Sequence, residues 1–180
     1  MSKVSVALIL TGALGSGKSS VLEALSTLLE VDEVAFGALE SEQLACGWPW
    51  LAASDWLPQL TAVIAWRRAA GRRLFLLAAT VKTQPELESM IDALAVDRAI
   101  VVCLHARPEV VAGRIADREP DAWPGKVRLI AHARDLAESI SSISGIDAVL
   151  GTEGRSPVDV AGEIYDVLRS RGVIPGPRPE

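Results

Sequence analysis

Cysteine is scarce in this chain of 180 residues, with only Cys46 and Cys103 present. The two lie far apart in the sequence and neither belongs to a C-x-x-C pair, which argues against a disulfide framework. No secretory signal is visible at the start of the chain. We therefore predict two reduced thiols and a cytoplasmic protein.

Positive charge is also in deficit, because 18 lysines and arginines face 23 aspartates and glutamates, for a net charge of −5. This balance argues against a general nucleic-acid or anionic-membrane surface. The apolar runs are no longer than a strand, so no membrane span is predicted. With 49% hydrophobic residues, the length favours one globular domain over residues 1–172, followed by a proline-rich tail over 173–180.

The most informative stretch matches the phosphate-binding pattern G-x-x-x-x-G-K-[ST] over residues 12–19. An apolar run over 4–10 precedes it and predicts a buried parallel strand. Leucines and valines at helical spacing over 20–29 follow it. Strand, glycine loop and helix in this order predict that the chain binds a nucleotide.

The chemistry of such a loop assigns roles to its residues. Glycines let successive backbone N–H groups converge on phosphate oxygens, and the helix start adds its own unpaired N–H groups. The Lys18 ammonium suits the β- and γ-phosphates, and the Ser19 hydroxyl suits Mg²⁺. The predicted nucleotide-binding set is Gly12, Ala13, Leu14, Gly15, Ser16, Gly17, Lys18, Ser19 and Ser20.

Beyond the loop, strand-like and helix-like patterns alternate. Strands are predicted over 34–39, 73–81, 98–105 and 147–150, and helices over about 54–70, 84–95, 108–118, 125–142 and 157–171. Helix starts are indicated by Ser54 or Asp55, by a capping box over 83–86, and by Ser156 with Pro157. The alternation predicts a parallel sheet covered on both faces, with a cleft at the carboxyl ends of the strands.

Two carboxylates, Glu40 and Glu42, follow the second predicted strand. At that sheet edge a carboxylate can accept a proton from a phosphoryl acceptor or hold the waters of Mg²⁺. Being two residues apart on an extended chain, only one of them is expected to face the cleft. A solvated helix start is the alternative interpretation.

Aromatic residues are few, yet four of the five tryptophans lie between residues 48 and 66. Trp48 and Trp50 flank a proline in a predicted loop and are candidates for the wall of an acceptor pocket. Core packing is the equally weighted alternative for these two. Trp66 falls within a helical pattern and is expected in the core.

Arginines cluster after the fourth predicted strand, at Arg107, Arg114 and Arg118. Arg114 and Arg118 are four residues apart and share a helix face, where they can neutralise a transferring phosphoryl group. Ion pairs on a solvent-facing helix are the alternative. Further along, Arg155 can stack on adenine or belong to an ordinary turn. His105 and His132 have no partner at a telling spacing and are expected to be structural.

Together these motifs resemble the P-loop small-molecule kinases, which include the adenylate, shikimate and gluconate kinases. The chain is most similar to adenylylsulfate-kinase-like "AAA family ATPase" proteins of unassigned substrate. The resemblance rests on the loop over 12–19, on Trp48-Pro49, on Arg114-x-x-x-Arg118-Glu119 and on residues 153–156. It implies a three-layer α/β/α fold with strand order 2-3-1-4-5 and a short helical lid that carries Arg114 and Arg118.

The resemblance further implies ATP and Mg²⁺ as ligands, and a monomer or homodimer. Relatives carry Asp-x-Asp where Glu40-Ser41-Glu42 stands here, so it implies an acceptor-side carboxylate role for Glu42 or Glu40. The third predicted strand has no aspartate at its tip, where many P-loop proteins hold Mg²⁺ through water. The expected function is transfer of the γ-phosphate to a small molecule. The alternative is a nucleotide-binding or hydrolysing regulatory module.

Overall fold

The computed structural model describes residues 4–175, so the last five residues of the predicted tail lie outside the described part. The chain alternates strands and helices throughout that range. The strands are β1 (Val6–Gly12), β2 (Phe36–Glu40), β3 (Leu74–Ala78), β4 (Arg98–His105) and β5 (Ala148–Gly151). The helices are α1 (Lys18–Val31), α2 (Ser41–Ala45), α3 (Ala53–Ala69), α4 (Gln84–Leu94), α5 (Pro108–Arg118), α6 (Lys126–Ser139) and α7 (Pro157–Ser170).

The five strands form one parallel sheet in the order β2-β3-β1-β4-β5. Strand β1 is central, with Leu10 opposite Ala78 of β3 and Gly12 opposite Leu104 of β4. This is the predicted α/β fold and strand order, and both are confirmed. The arrangement brings the loops after β1, β2 and β3 to one edge of the sheet.

Helices cover both faces of the sheet, which explains why every residue of β1 is buried. Leu8 and Leu10 of β1 pack on one face, in a cluster with apolar residues of α1 and α7. Ala7 and Ile9 point to the other face, toward residues of α3 and α4. Alternate side chains of a central parallel strand need apolar partners on both sides, and β1 contains no polar side chain between Val6 and Thr11.

A third apolar cluster lies beyond the sheet edge and supports the phosphate loop. Ala13 of the loop packs with Val111 and Ile115 of α5 and with Ala133 of α6. The loop is therefore held between the sheet and the α5–α6 pair. None of the helices within residues 4–175 is both long and apolar enough to cross a membrane.

Several local expectations are corrected by the structure. Helix α3 begins after Ala52 with no side-chain cap, so Ser54 and Asp55 lie inside its first turn. Glu86 does not close a capping box with Thr83, because its carboxylate accepts the backbone N–H of Lys82 at 2.7 Å. The Thr83 hydroxyl does accept the Glu86 N–H, as the sequence predicts.

Trp66 is wrongly predicted as a core residue. Its side chain is 74% exposed, because Leu60 and Ile64 fill the buried face of α3. The structure also adds α2, a helix of five residues that follows β2 directly. That turn into helix proves important for the site.

Helix α7 provides a test of the local interactions. Ser156 caps it, and the Ser156 hydroxyl and the Asp159 side chain exchange hydrogen bonds with each other's backbone. We expect Ser156→Ala to lower the free energy of unfolding by about 1 kcal/mol, since the cap satisfies otherwise unpaired N–H groups. Urea denaturation measures this, with Ser170→Ala at the other end of α7 as the control. An equal effect of both substitutions would contradict the capping argument.

Candidate active site

The phosphate loop depends on glycine at three positions where φ is positive. Gly12, Gly15 and Gly17 have φ values of 146°, 80° and 100°. A Cβ on Gly12 would lie 2.4 Å from the carbonyl oxygen of Leu104, and one on Gly15 would lie 2.8 Å from that of Val111. Neither backbone can move aside easily, so these positions require glycine for space as well as for conformation.

The loop presents groups that suit an anion. Helix α1 begins at Lys18 after Gly17, with no side-chain cap on its first-turn N–H groups. The Ser16 hydroxyl is buried and has no hydrogen-bond partner among the described residues. A buried hydroxyl without a partner is costly unless a ligand or water pairs with it. The curled backbone, the helix start and this hydroxyl together fit the phosphates of a nucleotide.

Lys18 folds back into the loop, where its Nζ donates to the carbonyl oxygens of Gly12 at 2.9 Å and Ala13 at 3.1 Å. Burial of the ammonium lowers the pKa of Lys18 to about 8. The carboxylates of Glu42 and Glu40 act in the opposite direction, and the positive charge of Arg118 lowers this pKa further. The site therefore holds a buried ammonium that is hydrogen-bonded to neutral carbonyl oxygens, and a polyphosphate is a suitable charged partner for it.

Glu40 and Glu42 both line the small cavity of 220 Å³ above the loop. The expectation that only one of them faces the cleft is wrong, because the chain turns into α2 at Ser41 and does not continue as a strand. Glu40 Oε2 accepts a hydrogen bond from Ser19 Oγ at 3.0 Å. This pairs a carboxylate with the hydroxyl that the motif assigns to Mg²⁺.

A second, larger cavity of 570 Å³ adjoins the first. Leu14 and Glu42 line both, so the two cavities meet at the Glu42 side chain. The larger cavity lies among the phosphate loop and helices α2, α3, α4 and α6. Its lining residues are Leu14, Ser41, Glu42, Ala45, Trp50, Leu51, Ala53, Trp56, Leu57, Thr80, Lys82, Pro85, Glu86, Ser89, Met90 and His132.

The two predicted pocket tryptophans have different surroundings. Trp50 lines the larger cavity, whereas Trp48 is 98% exposed and lies outside its lining. Trp56 lines the cavity too, one turn into α3. The Trp-Pro-Trp spacing did not indicate which tryptophan faces inward, because the loop leading to α3 has no regular side-chain alternation.

The cavity also contains residues that the sequence analysis did not place there. His132, expected to be structural, reaches the lining from α6. Thr80 and Lys82 come from the segment after β3. Thr80 Oγ1 is buried without a hydrogen-bond partner among the described residues. No local sequence signal marks these three, since the contacts depend on how α6 and β3 are placed relative to α3.

The arginines after β4 have three separate roles in the structure. Arg114 donates to the carbonyl oxygen of Gly15 at 3.1 Å and to Thr152 Oγ1 and O at 3.0 and 2.9 Å, so it links the phosphate loop to the loop after β5. Arg118 lines the smaller cavity and pairs with Glu119 at 2.7 Å. Arg107 pairs with Glu153 at 2.8 Å.

Arg155 lies exposed in the turn before α7. Its guanidinium pairs with Glu163 at 2.8 Å and donates to the Gly151 carbonyl oxygen at 3.2 Å. Its contacts within the described residues are those of a turn that precedes a capped helix. Adenine stacking by Arg155 stays a prediction.

No acidic residue stands at the tip of β3, as the sequence indicates. Ala78, the last residue of β3, lines the smaller cavity. Residues 4–175 contain no cluster of three or more histidine, cysteine, aspartate or glutamate side chains suited to a metal. In proteins Mg²⁺ usually takes one or two carboxylate oxygens together with water and substrate phosphates.

Comparisons with solved structures identify the fold. A sugar kinase from Janibacter sp. HTCC2649 matches with a TM-score of 0.66 at 17% identity, covering 91% of this chain and 94% of that one. Shikimate kinase from Acinetobacter baumannii, in complex with shikimate, matches at 0.61 and 19% identity, with coverage of 93% and 95%. The APS kinase of Mycobacterium tuberculosis, in complex with AMPPNP and APS, matches at 0.58 and 20% identity, covering 92% and 98%.

No protein-family model and no curated protein matches the chain. The structural likenesses extend over nearly the whole length of both partners, so the chain shares its fold with these three kinases. At these identities the likeness establishes architecture, and what the site does must be argued from its own residues.

The electrostatics of Lys18 can be tested directly. We expect its ammonium to titrate with a pKa of about 8, and Glu42→Gln to lower that pKa further by removing the strongest neighbouring charge that raises it. NMR of isotope-labelled lysine measures both values, with Glu138→Gln on α6 as the control. Between about pH 8 and pH 10.5, Lys18 is protonated in the unfolded chain and deprotonated in the folded chain. The contribution of Lys18 to the free energy of unfolding therefore increases as the pH rises through this window. An unchanged pKa in Glu42→Gln would contradict this account.

Arg114 and Arg118 provide a second test. Arg114→Ala is expected to lower the free energy of unfolding by about 2 kcal/mol, because a charged donor with three acceptors is lost. Arg118→Ala should change it by less than about 0.5 kcal/mol, since the Arg118 side chain is 59% exposed and pairs with its sequence neighbour Glu119. Urea denaturation of both variants distinguishes them. Equal free energies of unfolding for the two variants would show that the hydrogen bonds from Arg114 to Gly15 and Thr152 do not stabilise the fold.

Proposed function

We propose that this chain is an ATP-dependent kinase that transfers the γ-phosphate to a small molecule bound in the larger cavity. The observation that carries the proposal is the junction of the two cavities at Glu42. A kinase needs donor and acceptor sites that open into each other across one catalytic group. A regulatory module that only binds or hydrolyses nucleotide has no use for a second cavity of 570 Å³ at that point.

Several features of the phosphate loop support ATP and Mg²⁺ as its ligands. The unpaired Ser16 hydroxyl and the uncapped start of α1 fit phosphate oxygens. The hydrogen-bonded pair of Ser19 and Glu40 provides oxygens of the type that Mg²⁺ prefers. When bound, Mg²⁺ neutralises charge on the β- and γ-phosphates. Glu40 thereby supplies the carboxylate for Mg²⁺ that many P-loop proteins place at the tip of the third strand.

Charge stabilisation and proton transfer are assigned to side chains of the two cavities. Lys18 and Arg118 both line the smaller cavity, and their charges suit the equatorial oxygens of a transferring phosphoryl group. Glu42, at the junction, is the group that can accept the proton of the attacking hydroxyl. In this assignment Arg114 acts as a positioning residue, because its guanidinium is engaged by Gly15 and Thr152. The lid role implied by the resemblance is proposed for Arg118 alone.

The roles of Lys18 and Glu42 separate in a kinetic test. Lys18→Ala should abolish turnover, and Glu42→Gln should lower kcat by roughly a hundredfold while leaving ATP binding nearly intact. ADP release against a panel of hydroxylated metabolites measures turnover, with Lys18→Ala as background, and calorimetry with magnesium-loaded ATP measures binding. Loss of ATP binding in Glu42→Gln would overturn its role as base.

The alternative function predicts a different pattern in the same assay. A nucleotide-hydrolysing or sensing module releases ADP at a rate that no compound in the panel changes. In that case substitutions of the larger cavity leave turnover unaltered. A compound-dependent rate that depends on Glu42 supports the kinase.

A further inference from the structure

The larger cavity has mostly apolar walls. Trp50, Trp56, Leu57 and Met90 line it from the α2–α3 connection, from α3 and from α4, and Leu51 adds to the same wall. At 570 Å³ it falls within the size range of sites that enclose drug-sized ligands. Indole and thioether groups favour flat or aromatic partners. The walls therefore suit a ligand with a large apolar body.

The charges around the cavity disfavour an anion. Its ionisable lining groups are Glu42, Lys82, Glu86 and His132. Two carboxylates outnumber one ammonium, and no arginine within residues 4–175 lines this cavity. The Glu86 carboxylate is also fixed at this edge by the Lys82 backbone N–H. A carboxylate or sulfate on the acceptor would meet net negative charge at this position.

A polyol is also a poor match. Each hydroxyl that loses water inside a protein needs a partner there, or binding becomes weaker. The charged groups Glu42, Lys82 and Glu86 are exposed, and most of the other lining residues are apolar. Thr80, whose hydroxyl has no partner among the described residues, can serve one polar substituent. The hydroxyls of Ser41 and Ser89 and the imidazole of His132 are the other neutral polar groups of the lining, and nine of its sixteen residues are apolar. The arrangement serves a few polar groups on a mainly apolar ligand.

From these observations we infer that the acceptor is a neutral or positively charged alcohol with a large, apolar, aromatic body. This inference rests on the proposed kinase function and specifies its substrate class. The hydroxyl that receives the phosphate lies at Glu42, where the two cavities meet, and the ring system extends toward Trp56 and Met90. Transfer forms a bond from the alcohol oxygen to the γ-phosphorus as the bond to ADP breaks, and Glu42 accepts the hydroxyl proton.

Binding can be tested separately from catalysis with three probes that share one ring system. Naphthaleneethanol, naphthaleneethylamine and naphthaleneacetate are neutral, cationic and anionic, and calorimetry without nucleotide measures the Kd of each for the full chain. We expect the alcohol and the amine to bind at least about tenfold more tightly than the acetate. Equal affinities, tighter binding of the acetate, or no binding of the alcohol would overturn the inference.

Two substitutions on α3 identify the cavity as the binding site. Trp56→Ala removes part of the wall and should weaken binding of the alcohol about tenfold. Trp66→Ala is the matched control, because the same side chain is lost from the same helix at a position 74% exposed and outside the cavity. Equal effects, or an effect of Trp66→Ala alone, would place the probe elsewhere and contradict the inference.

A third variant tests the charge argument. Glu86→Gln keeps an oxygen for the Lys82 N–H and removes one negative charge from the rim. It should lower the ratio of the Kd of the acetate to the Kd of the alcohol about threefold. Glu88→Gln, two residues further along α4 and outside the lining, should not change that preference. A preference that stays the same in both variants contradicts a role for cavity charge.

Phosphotransfer assays then distinguish the two proposals. Mass spectrometry after incubation with magnesium-loaded ATP shows which of a panel of aromatic alcohols, sugars and hydroxy acids gains a phosphoryl group. Transfer to aromatic alcohols, lost in Glu42→Gln, supports both proposals. Transfer only to sugars or hydroxy acids overturns the acceptor class and leaves the kinase intact. Binding of the alcohol that depends on Trp56, with no transfer to any compound, supports the ligand class and counts against the kinase.

Discussion

The close packing of the phosphate loop against its surroundings is the constraint on which the rest of the site depends. Gly12 leaves no room for a Cβ beside the Leu104 carbonyl of β4, and Gly15 leaves none beside the Val111 carbonyl of α5. Arg114 then fastens the Gly15 carbonyl to Thr152. The loop is thus fixed to three separate elements, and the start of α1 is aimed accordingly. Because this loop is already ordered, it loses little conformational entropy when a polyphosphate binds.

Charge balance in the site follows from that placement. The fixed loop buries the Lys18 ammonium, and burial lowers its pKa although Glu42 and Glu40 lie nearby. Arg118 and Arg114 add positive charge to the lining of the same small cavity. Lys18 hydrogen-bonds to two neutral loop carbonyls, which are weaker partners than the charged oxygens of a nucleotide phosphate, and Arg118 pairs with the partly buried carboxylate of Glu119. In the proposed mechanism the electrostatic demand of the site is met only when the donor is bound.

Features encoded locally were predictable, and features created by long-range packing were not. The motif over 12–19, the alternation of strands and helices, and the Ser156 cap each depend on neighbours in sequence, and the structure contains all three. The turn into α2 after Glu40 carries no strong local signal, although it brings both glutamates to one cavity. Trp66 shows the same limit, since helical periodicity in α3 does not reveal which face the sheet covers. The link from Arg114 to Thr152 joins residues 38 positions apart and could only be seen once folded.

In the proposed kinase, the division of the site at Glu42 lets one architecture serve different acceptors. The donor side is built from the loop after β1 and from α5, where glycine contacts and arginine links allow little change. The acceptor side is built largely from side chains of α2, α3, α4 and α6, and it shares the lining residues Leu14 and Glu42 with the donor side. Substitution of an acceptor-side residue such as Trp56 or Met90 therefore changes the shape of the larger cavity while the phosphate loop stays as it is. In this fold the acceptor must be deduced from the walls of that cavity, because the phosphate loop constrains only the donor.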